Sequence, residues 1–338
     1  MNNKPLVSAI VSTYNSAKFI SGKIEDLLDQ TIADKLEIII VNSGSQQDED
    51  IIIKEYLRKH ANIKYIKTEE RETIYKAWNR GIKIATGKYI TNANTDDRLR
   101  CDALAILAYE LESDSGVALV YADQYITTIQ NEKYLLSKKS KIVRMPEFDY
   151  LVQLERCIVF SQPMWRSSLH HQDNFWFDEE LEVCGDHEFE LKISAKYKMK
   201  HISQVLGNFY KSPENDNKSF QNILRIDLER KQITFKYMQK YVDRMKDEEL
   251  IELIRMFRTI IFMPMWLSRI FIRIKSLTIK RKHVFSQEFI YLISIIIYEK
   301  KQKIDLAIRY CKKHLNHRHS WRIEKKYQQL KNWNENEG

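Results

Sequence analysis

The 338-residue chain contains no stretch of about 18 uncharged apolar residues, which excludes an evident membrane-spanning helix. Its first residues, MNNKPLVSAIVSTYN, lack the basic start, long apolar centre and small-residue cleavage site of a secretory signal, so the expectation is a cytoplasmic protein. Cysteine is scarce as well. Cys101, Cys157, Cys184 and Cys311 lie far apart and form no CxxC pair, which argues against a zinc knuckle or a disulfide framework and for plain thiols. No internal repeat or low-complexity tract is visible. Acidic residues are absent between Glu252 and Glu288, where Arg255, Arg258, Arg269, Arg273, Lys275, Lys280, Arg281 and Lys282 supply only positive charge.

What is present suits a folded chain of one large domain or two ordinary ones: 43% hydrophobic residues, with 55 lysines and arginines against 46 acidic residues. The charge is divided unevenly. From Arg225 onward there are 26 basic and 13 acidic residues, so the front of the chain is slightly acidic and the back strongly basic.

VSAIVSTYN (7–15) and LEIIIVNSG (36–44) are β-rich apolar runs ending in small polar residues, and SAKFISGKIEDLLDQ between them shows helical spacing. That is a βαβ unit. The pattern continues with IIIKEYLRKH as helix, IKYIKT as strand, ETIYKAWNRGIKIA as helix, KYITNAN as strand, CDALAILAYELESD as helix and VALVYAD as strand. Apolar strands alternating with amphipathic helices predict an α/β fold with a mostly parallel sheet covered on both faces. Ligands bind such sheets at the carboxyl ends of the strands, where STYN, NSGS, NANTDD and YADQ fall. From about 225 only helices are expected. The polar, proline-punctuated SPENDNKSF suggests a boundary, giving domains 1–215 and 216–338, the second all-α and basic.

Asp96 and Asp97 stand side by side after a buried-looking strand. Adjacent carboxylates there suit a hard divalent cation that also takes phosphate oxygens; equally, Asp97 alone suits a turn or helix cap facing solvent. Asp186 likewise reads either as a base or as a helix N-cap.

Taken together, VSAIVSTYNSAKFI, IIIVNSGS, IYKAWNRGIKIATGKYI, NTDDRL and GDHEFELKI occur in the order and spacing of family-2 glycosyltransferases with the GT-A fold, which the chain resembles over roughly residues 5–212. The resemblance implies an inverting, metal-dependent glycosyltransferase that moves a sugar from a nucleotide donor to a saccharide or lipid-linked saccharide in surface-glycan synthesis. It places Thr13 and Tyr14 near the nucleotide base and Asn15 in the turn. Asn42 and Ser43 stand where the family carries an acidic base-binding residue, so a UDP-sugar is the first expectation, with dTDP or GDP behind it. Asn79 and Arg80 are implied to line the donor pocket. NTDD corresponds to the Asp-x-Asp signature, with Asn94 at the ribose position, Thr95 between, and Asp96 then Asp97 as ligands of Mn²⁺ or Mg²⁺. Asp186 matches the catalytic base. Gln162, Trp165 and Trp176, in FSQPMWRSSLHHQDNFWFDEE, are candidate acceptor contacts, since aromatic faces suit the C–H side of a pyranose; they serve equally well as core.

The stretch RMFRTIIFMPMWLSRIFIRIKSLTIKRKH (255–283) reads as a two-sided helix broken near Pro264. Packing against the protein or a second copy competes with peripheral contact at the inner face of the cytoplasmic membrane. Two other functions stay open: an inactive relative that only binds a nucleotide sugar or glycan, and nucleic-acid binding by the basic tail. The tail carries no recognisable nucleic-acid module, so no nucleic-acid partner is expected.

Overall fold

The computed structural model describes residues 4–134, 141–213, 219–244, 311 and 321–337. The chain divides into two compact units, Met1–Arg230 and Lys231–Gly338. The first opens with β1 (Val7–Thr13), α1 (Ala17–Leu28), β2 (Leu36–Ser43), α2 (Glu49–Leu57), β3 (Ile63–Thr68), α3 (Ile74–Lys83) and β4 (Tyr89–Asn92). It continues with β5 (Arg98–Leu99), α4 (Ala103–Ser113), β6 (Val117–Thr127), β7 (Lys141–Val143), α5 (Tyr150–Glu155), β8 (Met164–Arg166), α6 (Ser168–His171), α7 (Gly185–Ser194) and β9 (Lys198–Tyr210). Among the described residues two further helices follow, α8 (Ser219–Arg244) and α9 (Trp321–Glu337), so those of the second unit are helical. Among the described residues no helix is long and apolar enough to cross a membrane. The segment 255–283 lies outside them.

The sheet runs in the order β3-β2-β1-β4-β8-β6-β9-β5, with β7 on β6. Its first half is the expected parallel block, β1 pairing with both β2 and β4 and β2 with β3. The second half is mixed: β8 lies antiparallel between β4 and β6, whereas β9 is parallel to β6. Apolar alternation does not reveal β8, because it is three residues long and its pairing is decided by neighbours far away in the chain.

Why the central strands are apolar on every residue is visible in the core. Val7, Ala9, Val11, Ile38 and Ile40 face one layer with Ile20, Ile24 and Leu27 of α1 and Leu104, Leu107 and Leu111 of α4. Ile10 and Ile39, pointing the other way, pack with Tyr75, Trp78 and Ile82 of α3 and Phe189 and Ile193 of α7. The second layer is aromatic: Phe177 stacks on Phe189 at 4.2 Å and on Tyr75 at 5.9 Å, and Trp165 meets Phe189 edge-on at 5.6 Å. Burial on both faces fixes the strands rigidly and leaves the loops at their carboxyl ends free to carry chemistry.

One such loop depends on Gly44, which turns the chain out of β2 with φ of +64°. A Cβ there would also lie 2.7 Å from the backbone carbon of Glu70. Gly44→Ala is expected to destabilise the protein by about 1–3 kcal/mol, read as a lower urea midpoint.

Candidate active site

Three loops meet at the carboxyl ends of β1, β2 and β4. After β4 the chain leaves the sheet through Asn94-Thr95-Asp96-Asp97, and Asp97 turns inward to 1% exposure. Its Oδ1 accepts the Tyr210 N–H at 3.0 Å; its Oδ2 accepts from Asn94 Nδ2 at 3.1 Å and from the Ser161 hydroxyl. Asp97, expected as the second metal ligand, is therefore a tie between the loop, the entry to β8 and the end of β9, because protein donors already occupy both oxygens. Burial and then the charge of Asp96 push its carboxyl up to about 6.

Asp96 is only partly buried, and its carboxylate takes no hydrogen bond from another described residue. Desolvation raises it, while the fields of Lys23 and Arg98 oppose the rise. These two cations answer part of the like-charge problem. Lys23 is fully buried, with Nζ 2.9 Å from Gln162 Oε1 and 3.4 Å from Asp26 Oδ2. Arg98 donates to the carbonyls of Thr95 at 2.8 Å and Asp97 at 2.7 Å, so it holds the loop from beneath.

An ionised Asp97 can only accept, which forces the Asn94 amide nitrogen toward it and leaves Asn94 Oδ1 buried without a partner. Open Asp96 oxygens and this orphaned amide oxygen are hard donors that fit a divalent cation completed by phosphate or water. Among the described residues no three acidic, histidine or cysteine side chains form a closed metal cage.

The loops after β1 and β2 are sewn to each other. Asn15, in the left-handed region at φ 51°, accepts the Gln46 N–H at 2.8 Å, and its own N–H donates to Ser45 Oγ at 3.0 Å. Glu49 accepts from Ser45 Oγ at 2.9 Å and from the Ser16 N–H. Tyr14 lies beneath Arg71, whose guanidinium carbon is 4.4 Å from the ring centroid. Thr13 Oγ1 is buried and unpartnered. Asn42 and Ser43 are not free to read a base here. Asn42 Nδ2 donates to the Tyr65 hydroxyl and Oδ1 accepts the Ser45 N–H, while Ser43 Oγ accepts the Glu72 N–H at 2.5 Å.

Asp186 sits in the first turn of α7. Its Oδ1 accepts the His187 N–H at 2.8 Å and the Tyr75 hydroxyl approaches at 3.5 Å, though that hydroxyl donates chiefly to Val183 O at 2.6 Å. Gly185 permits this docking, since a Cβ would lie 2.7 Å from the Tyr75 ring. Burial raises the Asp186 carboxyl above its ordinary value. The loop before it is fixed by Glu229 of α8, whose carboxylate accepts the N–H groups of Glu182, Val183 and Cys184 at 2.9–3.0 Å. His187 is buried, with Nε2 2.6 Å from Gln153 O, and desolvation lowers it to about 4; a neutral ring that donates to a carbonyl is no base.

Asp186 lines a cavity of about 350 Å³ together with Asn92, Asn94, Ser161, Cys157 and Glu190. Its remaining wall is largely aromatic, from Trp78, Phe160, Trp165, Phe177, Phe189 and Phe209. The base candidate and the 94–97 loop thus share one chamber.

Other expected contacts fall elsewhere. Asn79 is buried and clamps Phe177, donating to its carbonyl at 2.9 Å and accepting its N–H at 3.2 Å. Arg80 is spent on Glu72 through a two-point ion pair at the surface. Gln162, at φ 61°, is buried and holds Lys23. Trp165 is 1% exposed and donates to His170 Nε2 at 2.8 Å, so it belongs to the core although it borders the cavity. Trp176 donates to Asn174 Oδ1 at 2.7 Å and is half-buried. Missed from the sequence were Arg71, Ser161 and Glu229, whose partners lie tens of residues away. Glu190 was legible in principle, being four residues beyond Asp186 and hence on the same helix face.

A parallel block joined to antiparallel β8, with acidic and amide side chains gathered at its carboxyl edge, is the arrangement of the GT-A fold. Residues 8–167 match the model of the family described as "Glycosyl transferase family 2". It is 27% identical over 243 residues to the chondroitin synthase of Escherichia coli, covering 71% of this chain but 33% of that protein. An uncharacterized glycosyltransferase of Methanocaldococcus jannaschii, MJ1057, is 28% identical over 64% of this chain and 73% of its own length. In fold the chain resembles S. aureus TarS 1-349 in complex with UDP-GlcNAc, with a TM-score of 0.52, 17% identity and coverage of 92% of this chain and 91% of the other. It also resembles the mannosyltransferase PcManGT from Pyrobaculum calidifontis in complex with GDP-Man and Mn²⁺, with a TM-score of 0.51, 18% identity and coverage of 72% and 66%.

Removing the Glu229 carboxylate leaves three backbone N–H groups without their acceptor. Glu229→Ala is expected to cost about 2–3 kcal/mol in urea unfolding. Against the opposing effect of burial, the three N–H groups and then Arg225 hold the Glu229 carboxyl below its usual range. Its stabilisation is therefore complete above the ordinary glutamate value and lost as pH falls through the lowered one; the variant should show a flatter acid limb.

Proposed function

We propose that the chain transfers a sugar from a nucleotide-sugar donor to a hydroxyl of a saccharide or lipid-linked saccharide, by single displacement with inversion. The observation that carries this reading is the shared chamber: Asp186, able to take a proton, lines the same cavity as Asn94, whose loop carries Asp96. A UDP-sugar is the first donor expected, supported by the complexes of TarS with UDP and UDP-GlcNAc; GDP remains the alternative, as in PcManGT. Surface-glycan synthesis is the context suggested by chondroitin and hyaluronan synthases among the relatives, of which this chain matches only a part. A cytoplasmic site, at the membrane's inner face, completes the proposal.

In this reading Tyr14 and Arg71 form the base-side wall, and Thr13 Oγ1 offers an unused polar group beside them. Asp96, with Asn94 Oδ1 at its side, would hold Mn²⁺ or Mg²⁺, whose chemistry there is to neutralise charge on the departing diphosphate. Asp97 keeps both groups in place. Asp186 accepts the proton of the attacking acceptor hydroxyl. The aromatic wall excludes water, which limits hydrolysis of the donor.

Asp186→Asn is expected to lower transfer by at least about 10²-fold while the thermal shift induced by nucleoside diphosphate is unchanged; full turnover would remove Asp186 from this role. Because the base works as the carboxylate and its value is raised, kcat/KM should fall as pH drops through a point above the ordinary aspartate range. EDTA, or Asp96→Asn, should suppress donor turnover and the metal-dependent part of the thermal shift. A nucleoside diphosphate screen with and without Mn²⁺ reads that component directly.

A further inference from the structure

One turn beyond Asp186 on α7, Glu190 brings a second carboxyl group to the same cavity, and the reading of Asp186 as base does not use it. Glu190 is 4% exposed, and its Oε2 accepts from Gln153 Nε2 at 2.8 Å and from Cys157 Sγ at 3.2 Å. Among the described residues no lysine, arginine or histidine pairs with it. A buried carboxylate without a counter-ion is costly, and Asp186 adds like charge; burial first and Asp186 second push Glu190 well above its usual range. With Oε2 already accepting twice, the proton belongs on Oε1. That oxygen has no partner among the described residues and is left to whatever enters the cavity.

The other polar groups of the chamber complement hydroxyls. Asn92 Oδ1 is a buried acceptor without a partner. The aromatic walls suit the C–H face of a sugar ring, and among the described residues no lysine or arginine lines the cavity to receive an anion.

We propose that Glu190 is an acceptor-binding residue, its Oε1 hydroxyl donating to an oxygen of a neutral, hydroxyl-rich saccharide whose attacking hydroxyl lies against Asp186. This rests on the reading of Asp186 as base and adds the substrate class on that side of the cavity. It also gives the two acids different tasks: Glu190 holds its proton and binds, whereas Asp186 is ionised and receives one.

The test uses the full chain with its best hydrolysed nucleotide sugar as donor. The acceptor probes are methyl β-glycosides of glucose, galactose and N-acetylglucosamine, with methyl β-glucuronide as the anionic control. Acceptor KM is measured by transfer, and glycoside binding separately by saturation-transfer NMR. Glu190→Gln presents an amide N–H in place of the carboxyl O–H and should keep KM within roughly threefold. Glu190→Leu should raise it roughly tenfold or more while the nucleotide-induced thermal shift stays at the wild-type value. The neutral glycosides should bind more tightly than the glucuronide. The proposal is overturned by an unchanged KM in Glu190→Leu, by equal losses in the Gln and Leu variants, by loss of the nucleotide response along with KM, by glucuronide binding as tightly as the neutral probes, or by failure of every neutral glycoside to bind wild type. Asp186→Asn separates the two readings. Lost transfer with retained glycoside binding upholds the base, whereas full turnover removes the base alone and leaves the Glu190 result to stand by its own KM.

Discussion

The candidate site depends on the inward turn of one carboxylate. Asp97 accepts hydrogen bonds from Tyr210, Asn94 and Ser161, groups drawn from the end of β9, from its own loop and from the entry to β8. Each bond has a consequence beyond its own energy. Tyr210 fixes the loop against a strand more than a hundred residues later, and Ser161 draws in the segment that roofs the cavity. Asn94 is the most telling, because an acceptor-only partner decides which end of its amide faces inward and so which oxygen is left open beside Asp96. Burial of Asp97 is tolerated because Lys23 and Arg98 lie beneath it; without these cations two adjacent acids at 1% and partial exposure would repel each other out of this geometry.

The same rule, that a buried charge must be answered, sorts the other carboxylates. Glu229 is answered by three backbone N–H groups and stays ionised, which suits a residue that anchors a loop. Glu190 meets only a neutral amide and a thiol, and so keeps its proton. Asp186 lies between these cases. One backbone N–H supports its charge while burial opposes it, leaving a carboxylate whose proton affinity is raised toward the working range of a base. Four acids within one domain thus acquire different chemistry from their donors alone.

The parallel half of the fold could be read from the chain because it is written in local periodicity: continuous apolar strands, helices with one apolar stripe, polar residues where strands stop. The placing of Asp96 on a strand-end loop and of Asp186 at a helix start was legible for a related reason, since each belongs to a short local motif. What escaped is non-local. The antiparallel β8, the tie from Asp97 to Tyr210 and the clamp of Asn79 on Phe177 join residues about 70 to 113 positions apart, and no periodicity records such pairing. Residue type left two readings open at Trp165 and Gln162, sugar contact or core; Trp165 completes an aromatic core at the edge of the cavity, and Gln162 accepts a hydrogen bond from a buried lysine. Asn42 shows the reverse: a position that corresponds to a base-reading acid is, in this chain, consumed by its own loop and by Tyr65.

That last substitution bears on how a nucleotide is held. An aspartate at position 42 would have two acceptor oxygens and nothing to donate to Tyr65, so the Tyr65 hydroxyl would have to turn its proton toward it. With asparagine the hydroxyl instead accepts from Nδ2 and donates to Asp50 at 2.7 Å, drawing the α2 end of the loop inward. Both ends of the Asn42 amide are thereby committed to the protein's own groups, while the Tyr14 ring and the Arg71 guanidinium stacked on it remain at the loop surface. Stacking on an aromatic or guanidinium plane is tolerant of base identity, because every base has a π-face. On the proposed reading, a site built this way would select its donor less by the edge of the base than by the diphosphate held at Asp96, leaving the aromatic chamber with Asp186 and Glu190 to the acceptor.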